Sequence, residues 1–163
     1  MNEFSRIYDL SLPAVFQGRQ KIQATPEECQ ALAKRFLIVE IQSFDADFMI
    51  TPGTQDDSFA VDGTIRATLT QSCGVTLTPV QEMIDEPVHI KIRIDQADED
   101  EDFDSEDDVE HLTSTKVDLG ELMAQYLSLS LNPFPRAEGA MVEEQGKHTP
   151  SGPLADLVKL KKH

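Results

Sequence analysis

Tryptophan is absent from this 163-residue chain, which has only two cysteines, two tyrosines and fourteen basic residues. Each shortage excludes something. Cys29 and Cys73 are too few for a disulfide-framed domain. The fourteen lysines and arginines face thirty aspartates and glutamates, for a net charge of −16. That balance excludes general, charge-driven binding to nucleic acid, because neutralising phosphates takes clustered cations. It suits a cationic protein partner, although excess charge by itself only keeps a chain soluble. No apolar run approaches the roughly 18 residues of a membrane helix. Residues 1–6 lack the charged-then-apolar pattern of a secretory signal. A cytoplasmic protein with reduced thiols and no membrane partner is expected. The length fits one domain, and a chain of this size buries roughly two-thirds of its unfolded surface without metals or disulfides.

Groups for chemistry are equally sparse. Of the four histidines, His89 falls on the wet face of a strand, and His111, His148 and His163 fall in loops or at the terminus. Cys73 and His89 could be imagined as nucleophile and base, but no local signature joins them. Cys73-Gly74-Val75-Thr76 places threonine where a metal-binding CxxC needs its second sulfur. No phosphate-cradling glycine loop is present. The sequence therefore points to no enzyme, no metal and no cofactor.

What is present is a pattern of alternating strands and two capped helices. Segments 4–12 and 15–24 read as extended, split at Pro13. Thr25-Pro26-Glu27-Glu28 starts a helix: Thr25 as N-cap, Pro26 at the first position, Glu28 completing a capping box. Cys29, Leu32, Ala33 and Phe36 follow at helical spacing, which makes Cys29 a packed core thiol. Val39 and Ile41 alternate in one phase, and Phe44, Ala46, Phe48 and Ile50 in the other, so a bulge is expected near Ser43. Thr51-Pro52-Gly53-Thr54 is a turn. Phe59, Val61, Gly63, Ile65, Ala67 and Leu69 form a strand with one wet face, as do Val88, Ile90, Ile92 and Ile94. Between them, 75–77 has strand character and Pro79 is a break.

Residues 98–110 hold ten acids in thirteen positions and carry −10 of the net charge. They read as a disordered loop. Order is expected to resume at Val117. Asp118 and Glu121 cap a second helix over 118–128, with Leu119, Leu122, Met123, Tyr126 and Leu127 on one face. Asn132-Pro133-Phe134-Pro135-Arg136 is a stiff extended or turning segment. Residues 137–163 read as a flexible linker and a short terminal helix with Leu154, Leu157 and Val158 on one face. The fold expected for 1–136 is a single α+β domain: a bent antiparallel β-sheet or partial barrel with two packed helices.

Four stretches of the chain carry a resemblance. They are Thr25-Pro26-Glu27-Glu28 with residues 31–36; Val61-Asp62-Gly63 leading to Gln71-Ser72-Cys73-Gly74-Val75-Thr76-Leu77-Thr78-Pro79-Val80; residues 117–122 continuing through Leu127-Ser128-Leu129-Ser130-Leu131-Asn132-Pro133-Phe134-Pro135-Arg136; and Gly152-Pro153-Leu154-Ala155-Asp156-Leu157. Their order and spacing resemble the YceD-like large ribosomal RNA subunit accumulation proteins, particularly the alphaproteobacterial branch. The resemblance runs from about Phe4 to Lys161, with the acidic run as an insert. It implies a bacterial, non-enzymatic accessory factor in ribosome biogenesis that supports accumulation of large-subunit ribosomal RNA. It supplies no catalytic residues. Other branches resemble zinc proteins, with a CxxC at Cys73 and further cysteines after the leucine-rich helix. This chain keeps only Cys73, so a metal role does not transfer, and Cys73 reads as a buried packing residue.

Binding is expected to involve ribosomal RNA of the large subunit, the pre-ribosome or a basic ribosomal protein. The alternative is an acidic chaperone for a basic protein unrelated to RNA. Candidate contacts are Arg66, Lys91 and Arg93, which form a small basic patch if their strands pair. Ordinary solvated side chains paired with nearby acids are the stronger reading, because three charges give little phosphate affinity. Phe134, with Arg136 beside it, is a candidate anchor on a segment stiffened by prolines, although packing into the chain's own core is the stronger expectation for Phe134.

Overall fold

Thr25 opens the first helix as its sequence requires: its side chain accepts the Glu28 N–H, and the Glu28 carboxylate accepts the Thr25 N–H at 2.8 Å. Such a cap contributes about 1 kcal/mol. This detail comes from a computed structural model that describes residues 3–95 and 109–141. The helix, α1 (Pro26–Phe36), buries Cys29, Leu32 and Ala33. It ends at Leu37, which adopts a left-handed conformation at φ 56°.

Strands β1 (Ile7–Asp9) and β2 (Gln20–Gln23) precede α1, separated by a 3-10 turn at Pro13–Phe16. Val15 and Phe16 are thus in a turn rather than extended, because Pro13 takes a helical first position. After α1 come β3 (Glu40–Pro52), β4 (Ser58–Ser72), β5 (Pro79–Ile94), β6 (Val109–Leu112), β7 (Lys116–Asp118) and α2 (Leu119–Ser130). Five strands form an open sheet in the order β2-β3-β4-β5-β6, and β1 pairs with β7 in a separate two-stranded sheet. Three neighbouring pairs of the five-stranded sheet are antiparallel, but β5 and β6 are parallel, so the sheet is mixed rather than purely antiparallel.

The alternation read from the sequence sets which face is dry. Phe44, Ala46, Phe48 and Ile50 of β3, Val61, Ile65, Ala67 and Leu69 of β4, and Ile84, Val88, Ile90 and Ile92 of β5 are buried. They share one core with Cys29 and Leu32 of α1 and Leu119, Met123 and Leu127 of α2. The expected phase switch is a bulge: Ile41 faces Leu69, and the register slips before Ser43 faces Thr68. At Gly63 the sheet leaves no room for a side chain. A Cβ there would lie 2.4 Å from the Asp47 carbonyl oxygen and 2.5 Å from Phe48 Cβ.

The start of the chain is tied in from both sides. Phe4 is fully buried and its ring lies 5.2 Å from that of Phe44. The Arg6 guanidinium makes a two-bond fork with Glu28 at 2.8 and 2.9 Å. Asp118 caps α2 by accepting the Glu121 N–H, and also accepts the Arg6 N–H.

Three further expectations change. Residues 73–78 are the turn of the β4–β5 hairpin, and Pro79 is the first residue of β5 rather than a break, a position where its missing N–H costs no ladder bond. Val109 and Glu110 belong to β6, beside Lys91 and Ile92, so order resumes well before Val117. Helix α2 runs on to Ser130. The acidic positions 98–108 and the expected terminal helix lie outside the described residues. Among the described residues no helix is long and apolar enough to cross a membrane.

Candidate functional site

Two stretches far apart in sequence meet at the β4–β5 turn. The Gly74 N–H donates to the Pro135 carbonyl at 2.9 Å, and the Ala137 N–H donates to Cys73 Sγ at 3.3 Å. Gln71 donates to the Asn132 carbonyl, while the Asn132 N–H donates to Glu82 on β5. The segment after α2 is therefore laced to the hairpin end through its backbone.

Cys73 is the centre of this lacing. It is fully buried, and its sulfur also accepts the N–H groups of Val75 and Thr76 at 3.4 and 3.5 Å. The Thr76 hydroxyl, followed by the backbone N–H groups of Ala137, Thr76 and Val75, lowers its pKa to about 6, against a smaller opposing effect of burial. Convergent donors favour the thiolate. The expectation of burial holds, but the surroundings are polar donors rather than apolar packing. Cys29 differs: burial, then the Glu28 charge, pushes its thiol up.

The donor set around Cys73 does not fit zinc. Backbone N–H donors on the sulfur are compatible with a metal thiolate, but the facing segment 132–137 has no sulfur or imidazole to complete a ligand set. Among the described residues no group of three His, Cys, Asp or Glu is placed to hold a metal ion. Nor does the fold join Cys73 to His89. Ser72 pairs with Pro79, ten residues along β5 from His89, which is about 33 Å at strand spacing. His89 instead pairs with Asp62 across the strands.

The two laced segments carry exposed apolar side chains. Leu77 is 77% exposed at φ 61°, and Phe134 is 77% exposed. Val75 is partly exposed, and Leu129 stands open on the last turn of α2. Phe134 is therefore not tucked into the core. The Asn132 side chain accepts the Phe134 N–H at 3.0 Å and fixes a turn that points the chain outward. Arg136 sits two residues on, between Phe134 and the Ala137 bond to sulfur. Single apolar side chains on a surface need no explanation; here two of them, Leu77 and Phe134, stand on segments joined by the Gly74–Pro135 and Ala137–Cys73 bonds.

The basic candidates lie elsewhere, on the wet face of the sheet. Strands β4 and β5 pair as the patch requires, yet the register puts Asp85 opposite Arg66, and Arg66 donates to Asp45 at 3.0 Å. Lys91 is six residues further along β5, about 20 Å away. Lys91 and Arg93 do come together near His111, and Asp95 joins that group by pairing with both Arg93 and His111. The structure thus separates Arg66 from Lys91 and Arg93, and separates all three from Phe134 and Arg136.

The turn at Cys73 was missed in the sequence because Val75-Thr76-Leu77 has strand composition. Gly74 and Pro79 bracketing four residues were the available signal.

A family model described as "Large ribosomal RNA subunit accumulation protein YceD" matches residues 61–161. No curated protein and no solved structure matches the chain. The matched region includes both segments that meet at Cys73 and more than half of the sequence, so the chain belongs to the YceD family of large ribosomal RNA subunit accumulation proteins.

Proposed function

We propose that this chain is a non-enzymatic accessory factor for large-subunit biogenesis that acts by binding a basic ribosomal protein through the tip around Cys73. The carrying observation is the exposure of Leu77 and Phe134 on two segments locked together by backbone hydrogen bonds. A pre-ordered apolar anchor loses little entropy on binding. Charge favours protein over RNA. Arg6, Arg19, Arg35 and Arg66 are all engaged by carboxylates of the chain itself, and the net charge is −16.

Photo-crosslinking in growing cells, with probes beside Phe134 and beside Lys91, tests this reading. The expected catch is a basic large-subunit protein at the Phe134 probe, lost in a Leu77→Ser/Phe134→Ser double variant. Truncating a buried aromatic anchor costs about 2 kcal/mol or more. Large-subunit RNA captured at Lys91, with nothing at Phe134, replaces this reading with direct RNA contact through Lys91 and Arg93. A basic protein unrelated to the ribosome makes the chain an acidic chaperone instead.

A further inference from the structure

The dry row of β4 runs through Val61, Ile65, Ala67 and Leu69, and its next member is Gln71. Among the described residues Gln71 is the one buried polar side chain, 8% exposed at a position where the alternation calls for an apolar residue. An amide buried there costs free energy unless its polar atoms are bonded. The Gln71 amide nitrogen donates to the Glu82 carboxylate at 2.6 Å and to the Asn132 carbonyl at 3.1 Å. Glu82 stands opposite Leu69 on β5, and its other oxygen accepts the Asn132 N–H at 3.2 Å. The Asn132 side chain in turn accepts the Phe134 N–H.

We infer that Gln71 is a positioning residue for the Phe134 anchor: from inside the sheet it holds Asn132, and Asn132 sets the turn that presents the ring. The inference rests on the proposed use of this tip for binding, and it assigns the side chain that orients it.

Placement is the first argument. The segment 132–137 is fastened at two ends. Pro135 and Ala137 hold to Gly74 and Cys73 at the far end, and Asn132 holds to Gln71 and Glu82 at the near one. Phe134 lies between the fastenings, so a single position for its ring needs both. Freeing the near end spreads Phe134 over several positions. Apparent affinity then falls with the fraction of chains that present the anchor correctly.

Energetics is the second. Methionine is close to glutamine in volume, so Gln71→Met leaves the packing of the row intact. Glu82 is half-buried and Asn132 exposed, so both reach water once the amide is gone. The penalty for stranding a buried partner, which makes most lost buried bonds expensive, is therefore absent. Added apolar burial in the β4 row offsets the bonds given up. A residue that only stabilised the core would lose stability and position together, whereas Gln71 gives up position alone.

Amide relaxation, urea unfolding and photo-crosslinking in growing cells, all on the full-length chain, test the inference. In the native chain the amides of Asn132 and Phe134 are expected to be as ordered as the strands, with order parameters of about 0.85. Gln71→Met drops both below about 0.6, leaves Ala137 ordered, and keeps the urea midpoint unchanged or raises it. Glu82→Met releases the same end from a half-exposed site and loosens the same two amides. Capture by a crosslinker beside Phe134 falls about fivefold to tenfold in both variants. Amides of Asn132 and Phe134 that keep their order in both variants overturn the inference. So does a urea midpoint that falls in Gln71→Met, which makes Gln71 a plain core residue, or capture that is undiminished once the amides loosen. A native chain that captures nothing at Phe134 defeats the reading of the tip instead, and the amide and urea results still decide the role of Gln71.

Discussion

Arg35 and Glu121, 86 positions apart, clasp each other through two hydrogen bonds of 2.9 and 2.6 Å, joining the last turn of α1 to the first turn of α2. The pair is a parallel fork, the geometry in which arginine and carboxylate bind best. It is partly shielded, with Glu121 the less exposed partner. Glu3 adds a third bond to the same guanidinium. The two helices that bracket the core are thus held to each other as well as to the sheet.

Arg35→Ala should cost roughly 1–2 kcal/mol, a charged hydrogen-bond value discounted for partial exposure. Urea titration of a double cycle with Glu121→Gln isolates the coupling. Arg35 holds the Glu121 carboxyl below its ordinary range. A carboxylate with a depressed folded pKa stabilises above its unfolded value and loses that stabilisation as pH falls through the folded one. The coupling should therefore be full at pH 7 and fade below about pH 4, the ordinary glutamate range. A coupling unchanged at pH 2.5 argues against the ion pair as its source.

Gly120→Ala separates helix propensity from packing. Alanine is better than glycine inside a helix by about 1 kcal/mol. Here, however, a Cβ would stand 2.6 Å from the Phe4 carbonyl oxygen and 2.7 Å from the Arg6 nitrogen. Both contacts are backbone and cannot swing away. The expected outcome is a net loss of roughly 1–3 kcal/mol in thermal or urea unfolding, with faster proteolysis before residue 10. A gain in stability shows that the N-terminal segment does not lie over α2.

Leu37→Gly should do the opposite. Leu37 holds a left-handed conformation and is 91% exposed, so it gives up almost no burial. Relieving its Cβ clash is worth roughly 1 kcal/mol, less the entropy glycine adds to the unfolded chain. A small rise in melting temperature is the expected reading, with Leu37→Asn intermediate. A fall assigns Leu37 a contact that its exposure denies.

Cys73→Ala should destabilise by an amount that depends on pH. The folded thiol titrates near pH 6 and an unfolded one near about 8.5. An acid with a lowered folded pKa gives full stabilisation above the unfolded value and loses it as pH falls through the folded value. The gap between native chain and variant should widen from pH 6 to pH 9 in urea titrations. A constant gap shows a neutral thiol held by packing alone.

Much of this was legible because it rests on local chemistry. The α1 capping box, the bulge at Gln42 and the alternation of β3, β4 and β5 all follow from neighbours in sequence. What escaped depends on distant partners. Val75-Thr76-Leu77 looks like a strand until the length of the β4–β5 pairing makes it a turn. Val109 and Glu110 belong with an acidic run until Lys91 and Ile92 supply a ladder. Phe134 looks like core until the Asn132 turn directs it outward. Arg66, Lys91 and Arg93 share a face, but only the register reveals the distance between them. The Cys73 site is illegible for the same reason, since one of its donors is 64 residues away.

The pairing of β1 with β7 has a consequence for synthesis. Ile7, Tyr8 and Asp9 find their strand partners only in residues 116–118, and Gly120 receives the backbone of residues 4–6. While a ribosome is making this chain, the first strand must wait until the beginning of α2 has emerged from the exit tunnel. Local contacts form early and distant ones late. The β3–β4–β5 meander can close first, leaving the core open on the side that Phe4, Leu119 and Met123 later cover. Folding should thus finish in one late step. A nascent chain stalled before residue 118 should expose that apolar side, and one stalled after the full α2 has emerged should not.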